Sequence, residues 1–129
     1  HMEFKQYCTG VQHIGLPTLD MAATLAFYQG LGFTIAYETV NGGCRVVFLR
    51  LGSLTIETYE SPDAVQSVGA IAHVALNVTD VDAVWKLANQ TGLRLLDPEI
   101  RFLPFWEKGT RFFNVLGPNG EIVEFSQIL

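Results

Sequence analysis

Cysteine is scarce in this chain. Its 129 residues hold two, Cys8 and Cys44, with no C-x-x-C pair. Neither a disulfide framework nor a thiolate zinc site is therefore expected, and a reduced compartment, the cytoplasm, is the default. No secretory leader is visible. Charge is sparse as well, at 16% of residues, and it leans acidic: 8 Lys and Arg stand against 13 Asp and Glu, a formal −5. That balance argues against nucleic acid or an anionic membrane as the main partner. No apolar run approaches the ~20 residues needed to span a bilayer. Yet the chain is 49% hydrophobic and 12% aromatic, a composition that argues against disorder. A chain of this length buries roughly two-thirds of its unfolded surface and needs no staple to fold. His1-Met2 reads as an expression scar and is set aside.

What the sequence does have is an internal repeat. Residues 11–33, VQHIGLPTLDMAATLAFYQGLGF, lie over residues 71–93, IAHVALNVTDVDAVWKLANQTGL, without a gap. His13 meets His73, Asp20 meets Asp80 and Gly32 meets Gly92. RVVFLRLGSLTIETYE (45–60) parallels RFFNVLGPNGEIVEFSQ (111–127), which brings Glu57 onto Glu124 with one added residue. A repeat of this kind changes the expected architecture, so it comes before the element assignment.

Each half reads as strand, helix, then further strands. Residues 11–16 and 71–78 look like strands; the second places Val74 and Leu76 on one face and His73, Ala75 and Asn77 on the other. Asp20 and Asp80 stand where an N-cap would begin a helix. Val81, Val84, Trp85 and Ala88 then recur at helical spacing as one stripe, and Gly32 and Gly92 end the helices. Strand-rich runs follow at 34–40, 45–51 and 53–60, with Asn41-Gly42-Gly43 as a hairpin turn. In the second half, 111–117 and 121–128 flank a turn at Pro118-Asn119-Gly120. The expected fold is α+β: two βαβββ modules, 3–62 and 63–129, related by a pseudo-twofold axis and forming a curved mixed sheet around a metal-binding trough.

With His1 set aside, the two remaining histidines occupy the same position in each repeat, and each repeat carries a glutamate in its last strand. Taken alone, a strand histidine such as His73 is more often a packed, hydrogen-bonded residue. Glu57 alone is more often a solvated edge residue, and alternation could turn Glu124 outward. Their twofold placement favours joint ligation, because a polar strand position carries a cost unless partnered. Two imidazoles and two carboxylates suit one divalent Ni, Co, Zn, Fe or Mn ion per site. Two open positions would admit substrate oxygens.

Those residues carry a family resemblance. HIGL (13–16), FYQGLGF (27–33), LTIE (54–57), HVAL (73–76) and GPNGEIVEF (117–125) together resemble the vicinal oxygen chelate superfamily, which includes glyoxalase I, bleomycin- and fosfomycin-resistance proteins, extradiol dioxygenases and methylmalonyl-CoA epimerase. The resemblance implies that His13, Glu57, His73 and Glu124 are the metal set. A full His-Glu-His-Glu quartet is most similar to glyoxalase I, a lactoylglutathione lyase that isomerises a hemithioacetal through a metal-chelated enediolate. By analogy of position, Glu124 is the first candidate for the proton-transferring base and Glu57 the second. The family's Arg four residues after the first ligand is Pro17 here, and its Asn four residues after the first glutamate is Ser61. Both departures disfavour glutathione as the thiol. Alternatives are another chemistry of the family (thiol transfer to an antibiotic, epimerisation, ring cleavage) or a resistance protein that sequesters a drug or metabolite.

An aromatic insert, 102–109, precedes the penultimate strand. Phe105 and Trp106 there read either as core or dimer packing or as a lid over an apolar substrate. Arg111 and Phe113 are further substrate-binding candidates, although a lone Arg more often pairs with a surface carboxylate. The expected partners are a small-molecule substrate and a second copy in a homodimer, with the metal ligands drawn from one chain or from two.

Overall fold

The computed structural model describes residues 3–129; the first two residues, read above as a scar, lie outside them. After a 3-10 turn at Phe4–Gln6 come β1 (Ile14–Thr18), α1 (Met21–Gly30), β2 (Thr34–Asn41), β3 (Cys44–Leu51) and β4 (Leu54–Glu60). Then follow β5 (His73–Asn77), α2 (Val81–Gln90), β6 (Arg94–Leu95), β7 (Arg101–Leu103), β8 (Thr110–Leu116) and β9 (Ile122–Ile128). The chain divides into two compact units, one ending at Ala64 and the other spanning Val65–Leu129. Each holds one mixed sheet, ordered β1-β4-β3-β2 in the first and β5-β9-β8-β6 in the second, with β7 also on β8. In both, the first strand pairs in parallel with the last and the other pairings are antiparallel. A parallel neighbour needs a long crossover, which the helix opens. This is the α+β architecture of two βαβββ units. Among the described residues no helix is long and apolar enough to cross a membrane.

The two helices begin and end alike. Asp20 accepts from the Ala23 N–H at 3.0 Å and Asp80 from the Ala83 N–H at 3.1 Å, each satisfying an orphan donor of the first turn. At the other end Gly32 and Gly92 take φ of +106° and +71°. The N–H groups of Phe33 and Leu93 return to the carbonyls of Tyr28 and Ala88, closing a Schellman motif in each unit. Met21, Thr24, Leu25 and Tyr28 form the buried stripe of α1, while Val81 and Ala88 anchor that of α2. These stripes pack on the sheet face that carries Val47, Leu49 and Ile56 in the first unit, and Phe113, Val115, Val123 and Phe125 in the second.

The second unit departs from a plain βαβββ pattern. The strand corresponding to β2 is broken into β6 and β7, so the first residues of the aromatic insert, Phe102 and Leu103, belong to a strand rather than a loop. Pro98, between the pieces, has no N–H to give a ladder. The Asp97 carboxylate fills the gap: one oxygen accepts from the Asn114 backbone N–H at 2.7 Å and from Asn114 Nδ2 at 3.0 Å.

The turn at Pro118-Asn119-Gly120 is locked from outside. A Cβ built on Gly120 (φ +77°) would clash with the Gln66 carbonyl oxygen, a backbone atom that cannot swing aside. Gly120→Ala is therefore expected to destabilise the Val65–Leu129 unit by about 2 kcal/mol or more, the left-handed penalty alone being roughly 1–2 kcal/mol. Urea denaturation checks this, and a loss below about 0.5 kcal/mol contradicts it.

Candidate metal and substrate site

Strand alternation decides which side chains share the face away from each helix. In the first unit Gly15 of β1 pairs with Glu57 of β4. His13 stands two residues before Gly15 and so faces the same way as Glu57. Its Nε2 lies 3.5 Å from Glu57 Oε1. Its Nδ1 lies 3.0 Å from Gln12 Oε1. A proton on Nδ1 would be accepted by that oxygen, the tautomer that leaves the Nε2 lone pair for a metal. Phe48 of β3 packs edge-on to the imidazole with centroids 5.6 Å apart.

The second unit repeats this register. Ala75 of β5 pairs with Glu124 of β9, and His73 stands two residues before Ala75. His73 Nε2 lies 3.9 Å from Glu124 Oε1. Neither separation is an ordinary hydrogen bond, which runs about 2.7–3.2 Å. Both suit two donors sharing an ion, since ligands each about 2.1 Å from one cation sit no more than roughly 4 Å apart. Imidazole with carboxylate is also the donor chemistry of Ni, Co, Zn, Fe and Mn. The residues in each pair thus fit a divalent metal. Among the described residues no group of three or more His, Cys, Asp or Glu side chains gathers, so each unit brings a pair.

The second unit also holds an open concavity of about 560 Å3 on this same face. His73, Glu124, Phe105 and Trp106 are among its walls, so the aromatic insert and the His–Glu pair meet there. Trp106 is 75% exposed and takes a positive φ of 62°, which is uncommon for a bulky residue. Leu103, Thr110 and Phe112 also line it. So does Arg101, a residue just ahead of the insert that sequence reasoning passed over.

Arg111 and Phe113, expected at the substrate, are on the other face. Phe113 pairs with Phe125, is fully buried, and meets Trp85 of α2 edge-on at 5.0 Å. It is a core residue. Arg111 reaches Asp82 at the start of α2 through two charge-assisted hydrogen bonds of 2.7 and 2.9 Å. Those bonds hold the Asp82 carboxyl below the usual carboxylate range and raise the Arg111 guanidinium above its ordinary value. The physical reason for the correction is register: Asn114 pairs with Glu124, so the even-numbered residues of β8 share the glutamate's face and the odd-numbered ones face the helix.

The chain belongs to the Glyoxalase/Bleomycin resistance protein/Dioxygenase superfamily, whose family profile matches residues 10–125. Among curated proteins it is 30% identical over 126 residues to the uncharacterized protein YwbC of Bacillus subtilis (strain 168), a match covering 91% of this chain and 96% of that one. A glyoxalase family protein from Enterococcus faecalis shares the fold with a TM-score of 0.74 and 23% identity, over 92% of this chain and 97% of that chain. The genomically encoded fosfomycin resistance protein FosX of Listeria monocytogenes, solved with Mn(II) and sulfate, gives 0.73 and 20% identity, over 95% and 94%.

Proposed function

We propose that this chain is a divalent-metal-dependent enzyme of the glyoxalase type, a lyase or isomerase acting on a small molecule with two vicinal oxygens. His13, Glu57, His73 and Glu124 are its metal ligands. The observation that supports this best is the shared register: a histidine two residues ahead of the glutamate's partner, on the face away from the helix, in both units. An ion held there supplies Lewis-acid polarisation of the two oxygens and offsets charge as a carbon-bound proton departs. The chain's own residues do the rest. Glu124, or by position Glu57, takes the proton at its carboxylate and returns it to the neighbouring carbon. Phe105 and Trp106 bind the apolar part of the substrate and reduce water beside it. Pro17 and Ser61 offer no charged grip, which disfavours glutathione as the thiol partner. The working form is a cytoplasmic homodimer, with ligands from one chain or two.

The apolar wall of the concavity favours a second reading, a protein that sequesters an aromatic drug or metabolite, or another chemistry of the superfamily. Metal analysis of protein purified without a tag decides between them. About one Ni, Co, Zn, Fe or Mn ion per site is expected, lost in Glu57→Ala and Glu124→Ala. Metal-free protein that still takes up an aromatic compound moves the assignment to sequestration. Metal-loaded protein inactive on methylglyoxal with every thiol tried removes the glyoxalase chemistry.

A further inference from the structure

The concavity of the second unit is graded along the strands. Side chains on its face form successive rungs. Glu124 lies on one. Arg101, Phe112 and Ser126 pair across the next, and Leu103, Thr110 and Ile128 across the one beyond. Adjacent strands are about 4.8 Å apart and alternate residues roughly 6.8 Å, which puts the Arg101 backbone roughly 12 Å from that of Glu124. A small molecule held between two long side chains spans that gap.

Among the described residues Arg101 is the one Lys or Arg lining this concavity. Its guanidinium carbon lies over the Phe112 ring, 5.6 Å from the centroid, a cation–π contact. The side chain is 56% exposed, and the carboxylate of Asp97 stands at 3.6 Å, an ion pair without hydrogen-bond contact. The other oxygen of Asp97 is engaged by Asn114. Thr110, on the next rung, supplies an independent sign of a ligand. It is 6% exposed, it lines the concavity, and its hydroxyl has no hydrogen-bond partner among the described residues. A buried hydroxyl without a partner costs free energy that a bound polar group would recover. Leu103 and Ile128 on that same rung, with Phe105 and Trp106 of the insert, make this part of the wall apolar.

We propose that Arg101 is the specificity-determining residue of this site. It binds a carboxylate of the substrate with the Thr110 hydroxyl as second donor, and an aryl or alkyl tail runs on toward Phe105 and Trp106. The planar fork of a guanidinium matches a carboxylate edge to edge. The substrate class is then an apolar-tailed carboxylate whose vicinal oxygens reach His73 and Glu124. That last clause rests on the function proposed above; the Arg101 contact does not.

Calorimetric titration of the full chain with 4-phenylbutyrate and with its neutral amide tests the assignment. The wild type is expected to prefer the carboxylate at least about tenfold, as charge-assisted pairing implies. Arg101→Met abolishes the preference while the amide binds as before, Arg101→Lys keeps part of it, and Thr110→Val weakens the carboxylate several-fold. Equal affinity for the two probes in the wild type, a preference that survives in Arg101→Met, or no binding of either probe overturns the proposal. Metal content measured on the same samples keeps the two readings apart. Protein without metal that shows an Arg101-dependent preference sinks the enzyme assignment alone. Metal-loaded protein without the preference sinks this one alone.

Discussion

Truncating Phe113 to alanine is expected to destabilise the Val65–Leu129 unit by about 3–5 kcal/mol, the range for removing a buried aromatic. Phe113 is fully buried. Its ring touches Trp85 edge-on and lies 5.1 Å from that of Phe125, so the deletion opens a cavity under α2. Small domains are stable by only about 5–15 kcal/mol in total, and such a loss brings the variant close to unfolding. Urea denaturation followed by circular dichroism measures it. Phe113→Leu, which keeps most of the volume, should stay folded and bind small molecules as the wild type does. A loss below about 1 kcal/mol for the alanine variant would show that the ring is not the centre of this core. Altered ligand affinity in Phe113→Leu would return the residue to the substrate site.

On the function proposed above, Glu124→Gln is expected to lower kcat/KM by about a thousandfold, within the range for loss of a general base. Glutamine keeps the length and the fit on the sheet, but it neither carries the charge that favours a cation nor accepts a proton from carbon. Glu124 has a partner in His73 and lines an open concavity rather than the core, so neutralising it should leave folding intact. The measurement pairs turnover of metal-loaded protein on methylglyoxal hemithioacetals of several thiols with metal content. A variant that retains metal and loses turnover identifies the base. Glu57→Gln run beside it separates the two glutamates, because the one acting only as a ligand loses metal and turnover together. Full activity in Glu124→Gln, with metal retained, removes the residue from the reaction.

Much of this was legible in the sequence because the signals were local or duplicated. Asp20 and Asp80 announced helix starts through chemistry that acts within three residues, and the Schellman glycines marked the ends in the same local way. The His–Glu pairs emerged from the repeat, which gave two copies of one strand register without requiring that register to be known. Arg111 and Phe113 were misplaced for the complementary reason. Strand alternation sorts β8 into two faces, but which face belongs to Glu124 depends on the pairing of Asn114 with Glu124, a long-range fact that no local pattern carries. Arg101 escaped notice because Pro98 and Asp97 interrupt the strand pattern around it, and its importance comes from partners on β8 and β9.

The chain contains two tryptophans, and the fold gives them opposite surroundings. Trp85 is half-buried against Phe113, whereas Trp106 stands in water at the rim of the concavity. The protein therefore carries two built-in fluorophores of different colour. Blue-shifted emission from Trp85 reports whether the second unit is packed, and red-shifted emission from Trp106 reports what has entered beside it. Replacing either indole by phenylalanine isolates the other signal without an added dye.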